Sequence, residues 1–379
     1  MARLLAILLL ATLVVACGKT NKRENIEPPT ELVDLTPTAN VSLAWQQSLG
    51  KGERHLNLRQ EPASDGQRLY AADVSGKLQA FGLDSGASLW RIDTGLPLSS
   101  SLSVGEGTLV VGTLTGEVLA FNPDTGTERW RAKVSSEVLA APAIGRGQAI
   151  VRSNDGRIFS FSITDGDRRW VYDHSTPGLT LRGNSSPILA EDLVLIGYDS
   201  GQVVALRGND GLQLWEQTIA GGEGRTELER MVDIDGAMAY DNGEIFASAY
   251  NAQVMALSLN GGQPLWNREM SSYGGVVLAD NVLYLSDRDG VLWALDRNSG
   301  AALWKQDALM HRWLTTPAVH GDLVAVGDLQ GYVHWFDRAT GTPAARQRLD
   351  KKPIRAAPQV RGDLLYAVSI DGKLGVYRH

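Results

Sequence analysis

Most of the chain alternates between apolar and polar residues in short runs bounded by glycine, aspartate or asparagine. Alternation with period two, carried by β-branched and aromatic residues, is typical of half-buried β-strands. One such run recurs eight times after a turn residue, as in GKLQAF and GEVLAF. The eight copies begin at Gly76, Gly116, Gly156, Gly201, Ala252, Gly290, Gly331 and Gly372. The pattern predicts an all-β protein built from one repeated unit.

A second recurring element places glycine four residues before tryptophan, as in DSGASLW and DTGTERW. The tryptophans of its six copies are Trp90, Trp130, Trp170, Trp215, Trp266 and Trp304. A seventh copy has Ala345 where the tryptophan belongs. A large ring on one strand of each sheet is expected to fill the wedge between neighbouring sheets. Ala345 therefore predicts a smaller filling in the seventh unit.

The length of the repeat is typical of a β-propeller, whose blades hold four strands in roughly 40 residues. The eighth copy ends at His379 without an outermost strand, whereas VSLAWQQSL around Trp45 is a tryptophan-bearing strand without a blade. We therefore predict an eight-bladed β-propeller over residues 41–379, with four antiparallel strands in each blade. Residues 41–49 would complete the last blade and so remove an exposed sheet edge.

The N-terminus has the pattern of an export signal. An apolar run from Leu4 to Val15 follows Arg3 and is too short to span a bilayer as a helix. This favours a signal peptide over residues 1–16. The run ends in VVAC, which resembles a bacterial lipobox, so Cys17 is predicted to carry the lipid. The alternative is an ordinary signal peptide with an incidental cysteine.

The residues after Cys17 bear on where a lipid would hold the protein. Gly18, rather than an aspartate, follows the cysteine, which favours the periplasmic face of the outer membrane, while Lys19 leaves the sorting open. Residues 17–40 are polar, contain prolines and lack a periodic apolar pattern. They are predicted to form a flexible tether between the lipid and the propeller.

Composition narrows the classes of function. The formal net charge is −7, which gives no sign of the clustered basic surface that nucleic acid requires. Cys17 is the only cysteine among 379 residues, so no internal disulfide can form. The six histidines form no HxH or HxxxH pair, and the sequence has neither a GxSxG motif nor a phosphate-binding loop. It therefore predicts no catalytic residue, no metal site and no cofactor.

The regular repeat is interrupted at two places. A regular blade takes 12 or 13 residues from its tryptophan to the next inner strand, but the connection from Trp170 to Pro187 takes 17 and the one after Trp215 about 24. Connections of one type emerge on one face of a propeller, and consecutive blades place these two side by side. Extended loops on a rigid scaffold are where binding usually occurs. The two loops therefore predict a docking surface.

The first loop contains GLTLRG, and the second contains GGEGRTELERMVDID. Apolar anchors beside charged residues are typical of protein–protein hot spots. The candidate partner-binding residues are Leu179, Leu181, Arg182, Asp233 and Asp235, with Arg230 as a lesser candidate.

Other interpretations of these loops remain open. Leu179 and Leu181 could turn inward and cap the central channel, since most loop leucines are buried. Arg182 could pair with either aspartate in an internal brace, and the aspartates could be turn formers or a weak cation site. A weaker candidate patch consists of Met310, His311, Arg312 and Trp313, because their loop is barely longer than a regular one.

The unit xDxxTGxxxW with its preceding GxLxAF strand resembles the quinoprotein alcohol dehydrogenase-like repeat, over all of residues 41–379. The resemblance implies the propeller architecture but specifies function poorly. Quinone-dependent dehydrogenases with this repeat use adjacent cysteines, a Ca²⁺ ion and a catalytic aspartate. Adjacent cysteines cannot occur here, since Cys17 is the only one. A periplasmic quinoprotein-like enzyme or a ligand-binding propeller stays the alternative interpretation.

Lipobox, tether and eight repeats together resemble the BamB family, the propeller lipoproteins of the outer-membrane β-barrel assembly machinery. TLRGNSSP at 180–187, TELERMVDID at 226–235, LMHRWLTTP at 309–317 and GYVHWF at 331–336 are similar to segments of that family. The resemblance implies a non-catalytic, lipid-anchored scaffold that binds the periplasmic POTRA domains of BamA. It also implies that the Leu-x-Leu-Arg and Asp-x-Asp motifs of the two loops form that contact. Direct binding of unfolded outer-membrane protein clients along strand edges is conceivable, without specific support in the sequence.

Overall fold

The computed structural model describes residues 27–53, 56–174, 185–220, 232–234 and 236–379. Within these ranges, 32 strands form eight four-stranded antiparallel sheets. The predicted eight-bladed propeller is confirmed. No helix of this described part is both long enough and apolar enough to cross a bilayer.

The blades are numbered along the chain, and the four strands of a blade run from the innermost to the outermost. Blade one comprises β2 (Ala63–Ser64), β3 (Arg68–Ala72), β4 (Lys77–Gly82) and β5 (Ser88–Asp93). Blade two comprises β6 (Ser103–Gly105), β7 (Thr108–Gly112), β8 (Glu117–Phe121) and β9 (Glu128–Lys133). Blade three comprises β10 (Ala143–Gly145), β11 (Gln148–Arg152), β12 (Ile158–Ser162) and β13 (Arg168–Tyr172).

The next three blades repeat this order. Blade four comprises β14 (Ile188–Ala190), β15 (Leu193–Gly197), β16 (Gln202–Arg207) and β17 (Gln213–Thr218). Blade five comprises β18 (Ala239–Asp241), β19 (Glu244–Ser248), β20 (Gln253–Ser258) and β21 (Pro264–Glu269). Blade six comprises β22 (Val277–Ala279), β23 (Val282–Ser286), β24 (Leu292–Asp296) and β25 (Ala302–Gln306).

The last two blades close the ring. Blade seven comprises β26 (Ala318–His320), β27 (Leu323–Gly327), β28 (Tyr332–Asp337) and β29 (Pro343–Arg348). Blade eight comprises β30 (Gln359–Arg361), β31 (Leu364–Val368), β32 (Lys373–Arg378) and, as its outermost strand, β1 (Ser42–Ser48). β1 pairs antiparallel with β32 from Ser42 opposite Arg378 to Ser48 opposite Lys373. The prediction that residues 41–49 complete the last blade is confirmed.

The second and third strands of each blade carry the core. Residues of β7, β11, β15 and β27 are buried throughout, whereas outermost strands such as β17 alternate between exposed and half-buried positions. Strands that are buried on both faces read as continuous apolar runs because a neighbouring blade covers each face. The buried residues form one apolar cluster after another around the ring.

Each tryptophan of the outermost strands joins its blade to the next, as predicted. The Trp266 indole donates from Nε1 to the carbonyl of Arg297, 2.7 Å away, in the last turn of blade six. A Cβ at Gly300 of the same turn would lie 2.6 Å from the Trp266 ring, so only glycine lets the two surfaces meet. The same indole-to-carbonyl bond is made by Trp45, Trp90, Trp130, Trp170, Trp215 and Trp304.

The prediction that Ala345 leaves a smaller filling between blade seven and the next blade is wrong. Ala345 is buried, and its direct cross-strand partner on β28 is Trp335. Trp335 is completely buried and packs edge-on against Tyr377 of blade eight, with ring centroids 5.2 Å apart. The aromatic ring has moved to the neighbouring strand, so the wedge between blades seven and eight is filled after all.

Contacts with the propeller begin well before the predicted boundary at residue 41. Thr30 donates through both its amide and its hydroxyl to the carbonyl of Met310, each at 3.0 Å. The Thr38 amide donates to the carbonyl of Ala344 on β29 at 2.9 Å. The second half of the predicted tether, residues 30–39, therefore runs along blade seven. Residues 17–26 of the predicted tether and the signal peptide lie outside the described residues.

Candidate functional site

The connections from the outermost strand of one blade to the innermost strand of the next define one face of the ring, here called the loop face. Because the four strands alternate in direction, the turn between the second and third strand of each blade lies on the same face. Both interrupted connections, 173–187 and 219–238, belong to it. Of the predicted partner-binding residues, only Asp233 lies within the described ranges. Leu179, Leu181, Arg182, Arg230 and Asp235, like Cys17, lie outside them.

The first interrupted connection leaves and re-enters the fold against a single turn of blade four. The His174 ring, at its start, stacks on Tyr198 with centroids 3.9 Å apart. The Ser185 hydroxyl, at its end, donates to the carbonyl of Gly197 at 3.0 Å. Both ends of the loop are thus fixed on the Gly197–Tyr198 turn.

Arg152 of blade three holds this turn from below. Its guanidinium donates to the Gly197 carbonyl and to Asp199 Oδ1, both at 2.6 Å, and lies 5.1 Å from the centre of the Tyr198 ring. Arg152 and Asp199 are buried, so this charge-assisted pair is shielded from water. Burial raises the pKa of Tyr198, which keeps its hydroxyl protonated. The platform beneath the first loop is therefore rigid.

The second interrupted connection rests on the same turn. The Ile234 amide donates to the carbonyl of Tyr198 at 3.3 Å. The Ile234 side chain covers Gly197 so closely that a Cβ there would lie 2.5 Å from Cγ2. The bases of the two loops therefore converge on Gly197 and Tyr198, as the predicted side-by-side arrangement requires.

Asp233 is the one predicted partner-binding residue whose environment the structure describes. Its side chain is 1% exposed, and its carbonyl accepts a hydrogen bond of 2.9 Å from the Tyr250 amide. A buried carboxylate at the base of the loop favours the interpretation in which Asp233 holds the loop from inside. Its burial argues against a direct contact between the Asp233 side chain and a partner.

A third long connection escaped the sequence analysis. From Trp45 to Pro62 the chain takes 17 residues, as many as from Trp170 to Pro187. Comparison of successive complete blades does not reveal this interval, because it links the closing strand to blade one. Counting from Trp45 in the same way as from the other tryptophans would have found it.

This third connection crosses the loop face. Arg59 donates from Nη1 to the carbonyl of Tyr273, between blades five and six, at 3.4 Å, and its own carbonyl accepts from Ser101 at 2.9 Å. Next to it, Gln359 donates to the Glu61 carboxylate at 3.0 Å. Burial raises the pKa of Glu61 to about 7, against the lowering effects of the Ala357 amide and the Arg59 charge.

Two neighbouring residues of the weaker candidate patch, Arg312 and Trp313, lie in opposite environments. Arg312 is 1% exposed and donates to Asp328 Oδ2 at 2.9 and 2.7 Å, to Gln330 at 2.7 Å and to the Thr30 carbonyl at 2.8 Å. Trp313, the next residue, is 64% exposed. Arg312 is therefore a structural residue, and Trp313 is a surface residue of the loop face.

The described residues contain no cluster of three or more histidine, cysteine, aspartate or glutamate side chains suited to a metal ion. A cavity beside Glu53 and Arg355, between blades eight and one, has a volume of about 20 Å³. This is room for a water molecule and too small for a quinone.

The sequence and the fold were compared with known proteins. A family model described as Outer membrane protein assembly factor BamB matches residues 74–306 and 288–378. The Outer membrane protein assembly factor BamB of Pseudomonas aeruginosa is 48% identical over 372 residues, covering 98% of this chain and 97% of that protein. Its counterpart in Escherichia coli is 34% identical over 377 residues, covering 97% and 94%.

The fold comparison agrees with the sequence comparison. The crystal structure of BamB from Moraxella catarrhalis superposes with a TM-score of 0.82 at 26% identity, covering 90% of this chain and all of that one. The family model spans nearly all eight blades, and the relatives span both chains almost end to end. This chain belongs to the family of the outer membrane protein assembly factor BamB.

Proposed function

We propose that this protein is a non-catalytic assembly factor of the outer membrane, a scaffold that docks the POTRA domains of BamA on its loop face. Family membership supports the assembly role. The observation that supports the location is the convergence of both interrupted connections on the buried Gly197–Tyr198 turn. Held in this way, BamA would be oriented to receive barrel precursors for folding and membrane insertion.

The architecture of the loop bases explains how a loop can bind well. Ordering a free loop on binding costs conformational entropy, and a loop fixed at both ends loses less of it. His174 and Ser185 fix the first loop, and Ile234 fixes the second. The rigid Arg152–Asp199 pair stabilises the turn on which all three rest.

The residues of the two loops take different parts in this proposal. Leu179 and Leu181 supply apolar anchors, and Arg182 supplies a planar charged group that can make two parallel hydrogen bonds. Arg230 and Asp235 contribute polar contacts from the second loop. Asp233 acts as a positioning residue, since its side chain is buried at the loop base.

The anchor at Cys17 completes the proposal. A diacylglycerol thioether and an N-acyl chain would hold the protein at the periplasmic face of the outer membrane more firmly than a single acyl chain. Twelve residues lie between Cys17 and Thr30, whose amide and hydroxyl both donate to the propeller. Fully extended they span about 45 Å at most, which bounds the distance between that point and the membrane.

The test is co-purification of BamA with the variant Leu179→Ala/Leu181→Ala/Arg182→Ala. The matched control is Leu212→Ala/Leu214→Ala, since these residues repeat the Leu-x-Leu spacing on the outer edge of blade four and are 53% and 47% exposed. We expect the triple variant to lose BamA and the control to retain it, with both unfolding at the wild-type temperature. Equal recovery of BamA by the folded triple variant and the wild type would overturn the assignment.

A further inference from the structure

We propose that the loop face carries a second contact for the same protein partner, an aromatic arc formed by Tyr250, Tyr273 and Trp313, with Trp313 as its anchor. This inference rests on the proposed function and extends it. The sequence places only Trp313 in a weaker candidate patch, and neither repeat counting nor the two interrupted connections points to Tyr250 or Tyr273. Trp313 is singled out by its exposure and its left-handed backbone, Tyr273 by its exposure, and Tyr250 by its contacts with Tyr273 and with the base of the second loop.

Trp313 is presented to solvent by an unfavourable backbone. Its φ is 51°, in the left-handed region that bulky side chains rarely adopt, and His311, two residues earlier, has a φ of 61°. The indole is 64% exposed, the largest exposure among the aromatic residues of the described ranges. Strained backbone at an exposed large side chain is characteristic of functional sites, because ordinary packing would relax it.

Arg312 maintains that strain. It lies between the two left-handed residues, is buried, and is bonded to Asp328, Gln330 and Thr30. The amides of His311 and of Arg312 itself are fixed as well: His311 N donates to the Asp289 carbonyl at 2.7 Å, and Arg312 N to the Leu309 carbonyl at 3.2 Å. The chain is pinned at Arg312, so the next side chain must project outward.

A continuous set of contacts links Trp313 to the predicted docking loops. The Tyr250 amide donates to the Asp233 carbonyl at 2.9 Å, and the Tyr250 ring stacks on Tyr273 with centroids 4.5 Å apart. The Gly274 carbonyl accepts from Ala237 N at 3.1 Å, in the second interrupted connection. It also accepts from Thr316 Oγ1 at 2.6 Å, in the loop of Trp313. The arc and the loops therefore belong to one surface.

The surroundings of the arc favour a protein partner over a lipid surface. Asp289 lies beside the His311 amide and is half exposed, and the Glu27 carboxylate lies 3.6 Å from His311. Asp289 pairs with Arg288 at 3.6 Å, so the arc is bordered by charges of both signs rather than by the basic cluster that anionic phospholipid headgroups attract. Exposed tryptophan and tyrosine beside charged groups are typical of protein interfaces, where a tryptophan enters an apolar pocket of the partner.

The experiment measures binding of the purified POTRA domains of BamA to the wild type, to Trp313→Ala and to Leu303→Ala. Leu303 is the matched control, because it is 55% exposed on β25, the strand that leads into the same loop, but faces away along the outer edge. We expect Trp313→Ala to weaken binding at least about tenfold, in the range of an interface hot spot. Leu303→Ala should bind as the wild type does.

A second variant separates binding from folding. Trp313→Gly removes the side chain and relieves the left-handed strain, so it should unfold at a higher temperature than the wild type yet bind more weakly. Wild-type affinity in both Trp313 variants would overturn the inference. If the Leu179/Leu181/Arg182 triple variant still loses binding in that case, the proposed function stands. If that variant also binds normally, the proposed function fails too.

Discussion

Trp335 of β28 lies directly opposite Ala345 of β29, which reverses the arrangement found in blades one to six. In those six blades the small residue is on the third strand and the tryptophan on the outermost one, whereas in blade eight Trp45 lies opposite Val376. The six pairs are Ala80–Trp90, Ala120–Trp130, Ser160–Trp170, Ala205–Trp215, Ala256–Trp266 and Ala294–Trp304. Blade seven therefore keeps the combined volume of the pair, but its tryptophan is on the third strand and its small residue on the outermost one.

Ring closure supplies a physical reason for the exchange. In the other blades, the tryptophan packs on a glycine turn between the third and outermost strands of the next blade. Blade eight has no such turn, since its third strand ends near His379 and its outermost strand begins at Ser42. Ala39 and Val41 pack into that junction instead, with Trp335 and Ala345. A tryptophan at 345 would have no turn to receive it.

The first prediction concerns this junction. Trp335→Ala should lower the free energy of unfolding by about 3–5 kcal/mol, since it leaves a large cavity between blades seven and eight. Urea denaturation provides the measurement. The exchange variant Trp335→Ala/Ala345→Trp conserves volume, yet it should remain destabilised, because Ala39 and Val41 pack in the same cluster as Ala345 and blade eight has no glycine turn to receive a ring at 345. Recovery of wild-type stability in the exchange variant would contradict this explanation.

The glycine turns give a second prediction. Gly300→Ala should destabilise the protein by roughly 1–3 kcal/mol more than Gly95→Ala, since overpacking adds to backbone strain only at Gly300. The two glycines have nearly equal φ values, 67° and 68°. A Cβ at Gly300 would lie 2.6 Å from Trp266, whereas one at Gly95 would have no atom within 4 Å. Equal unfolding midpoints for the two variants would show that the indole does not pack as tightly as described.

The third prediction concerns the buried charges under the N-terminal segment. Arg312→Met should destabilise by about 3–5 kcal/mol, because it leaves the Asp328 carboxylate buried without its main countercharge. Arg378→Met is the control, since Arg378 pairs with Asp84 and Asp363 at the surface, and such pairs contribute less than about 1 kcal/mol. Thermal unfolding of the two variants measures the difference. A small effect at Arg312 would mean that His334, 3.0 Å from Asp328, suffices to hold it.

The fourth prediction concerns pH. Burial raises the pKa of Glu61 to about 7 from an ordinary value of 4.5. Between these values the folded protein keeps a proton that the unfolded chain has released, so the free energy of unfolding falls as the pH rises. The loss from this one group is at most about 3 kcal/mol and is complete above pH 7.

Glu61→Gln isolates this effect, because glutamine does not titrate and can still accept the hydrogen bond from Gln359. We expect the wild type to lose more stability than Glu61→Gln when urea unfolding is compared at pH 5 and pH 8. Parallel changes in the two proteins would show that Glu61 ionises in the folded state as readily as in the unfolded one.

The repeat made it possible to predict the fold from the sequence. The spacing of glycine and tryptophan predicted the blade count, the strand that closes the ring and the packing of the indoles, because each blade imposes the same local requirements. The exchange of Trp335 and Ala345 could not be predicted in this way. It depends on what the neighbouring blade presents, which is tertiary context.

The candidate site was predicted only in outline. Loop lengths located both interrupted connections, but burial of Asp233 and exposure of Trp313 follow from contacts between blades that a one-dimensional pattern does not contain. The third long connection could have been predicted from the sequence, since the interval from Trp45 to Pro62 is as long as the one from Trp170 to Pro187. The contacts of residues 30–39 with the propeller could not be predicted from the sequence, because a polar segment has the same composition whether it lies on the propeller or extends from it.

Hydrogen–deuterium exchange of the full-length protein, with and without the POTRA domains of BamA, tests the central claim most directly. The account predicts slower exchange in peptides covering 173–187 and 219–238, and in the loop of Trp313. Peptides covering the turns on the opposite face, such as those around Gly86 and Gly300, should be unchanged. Slower exchange on the opposite face or along the outermost strands, with no change in the two interrupted connections, would contradict it.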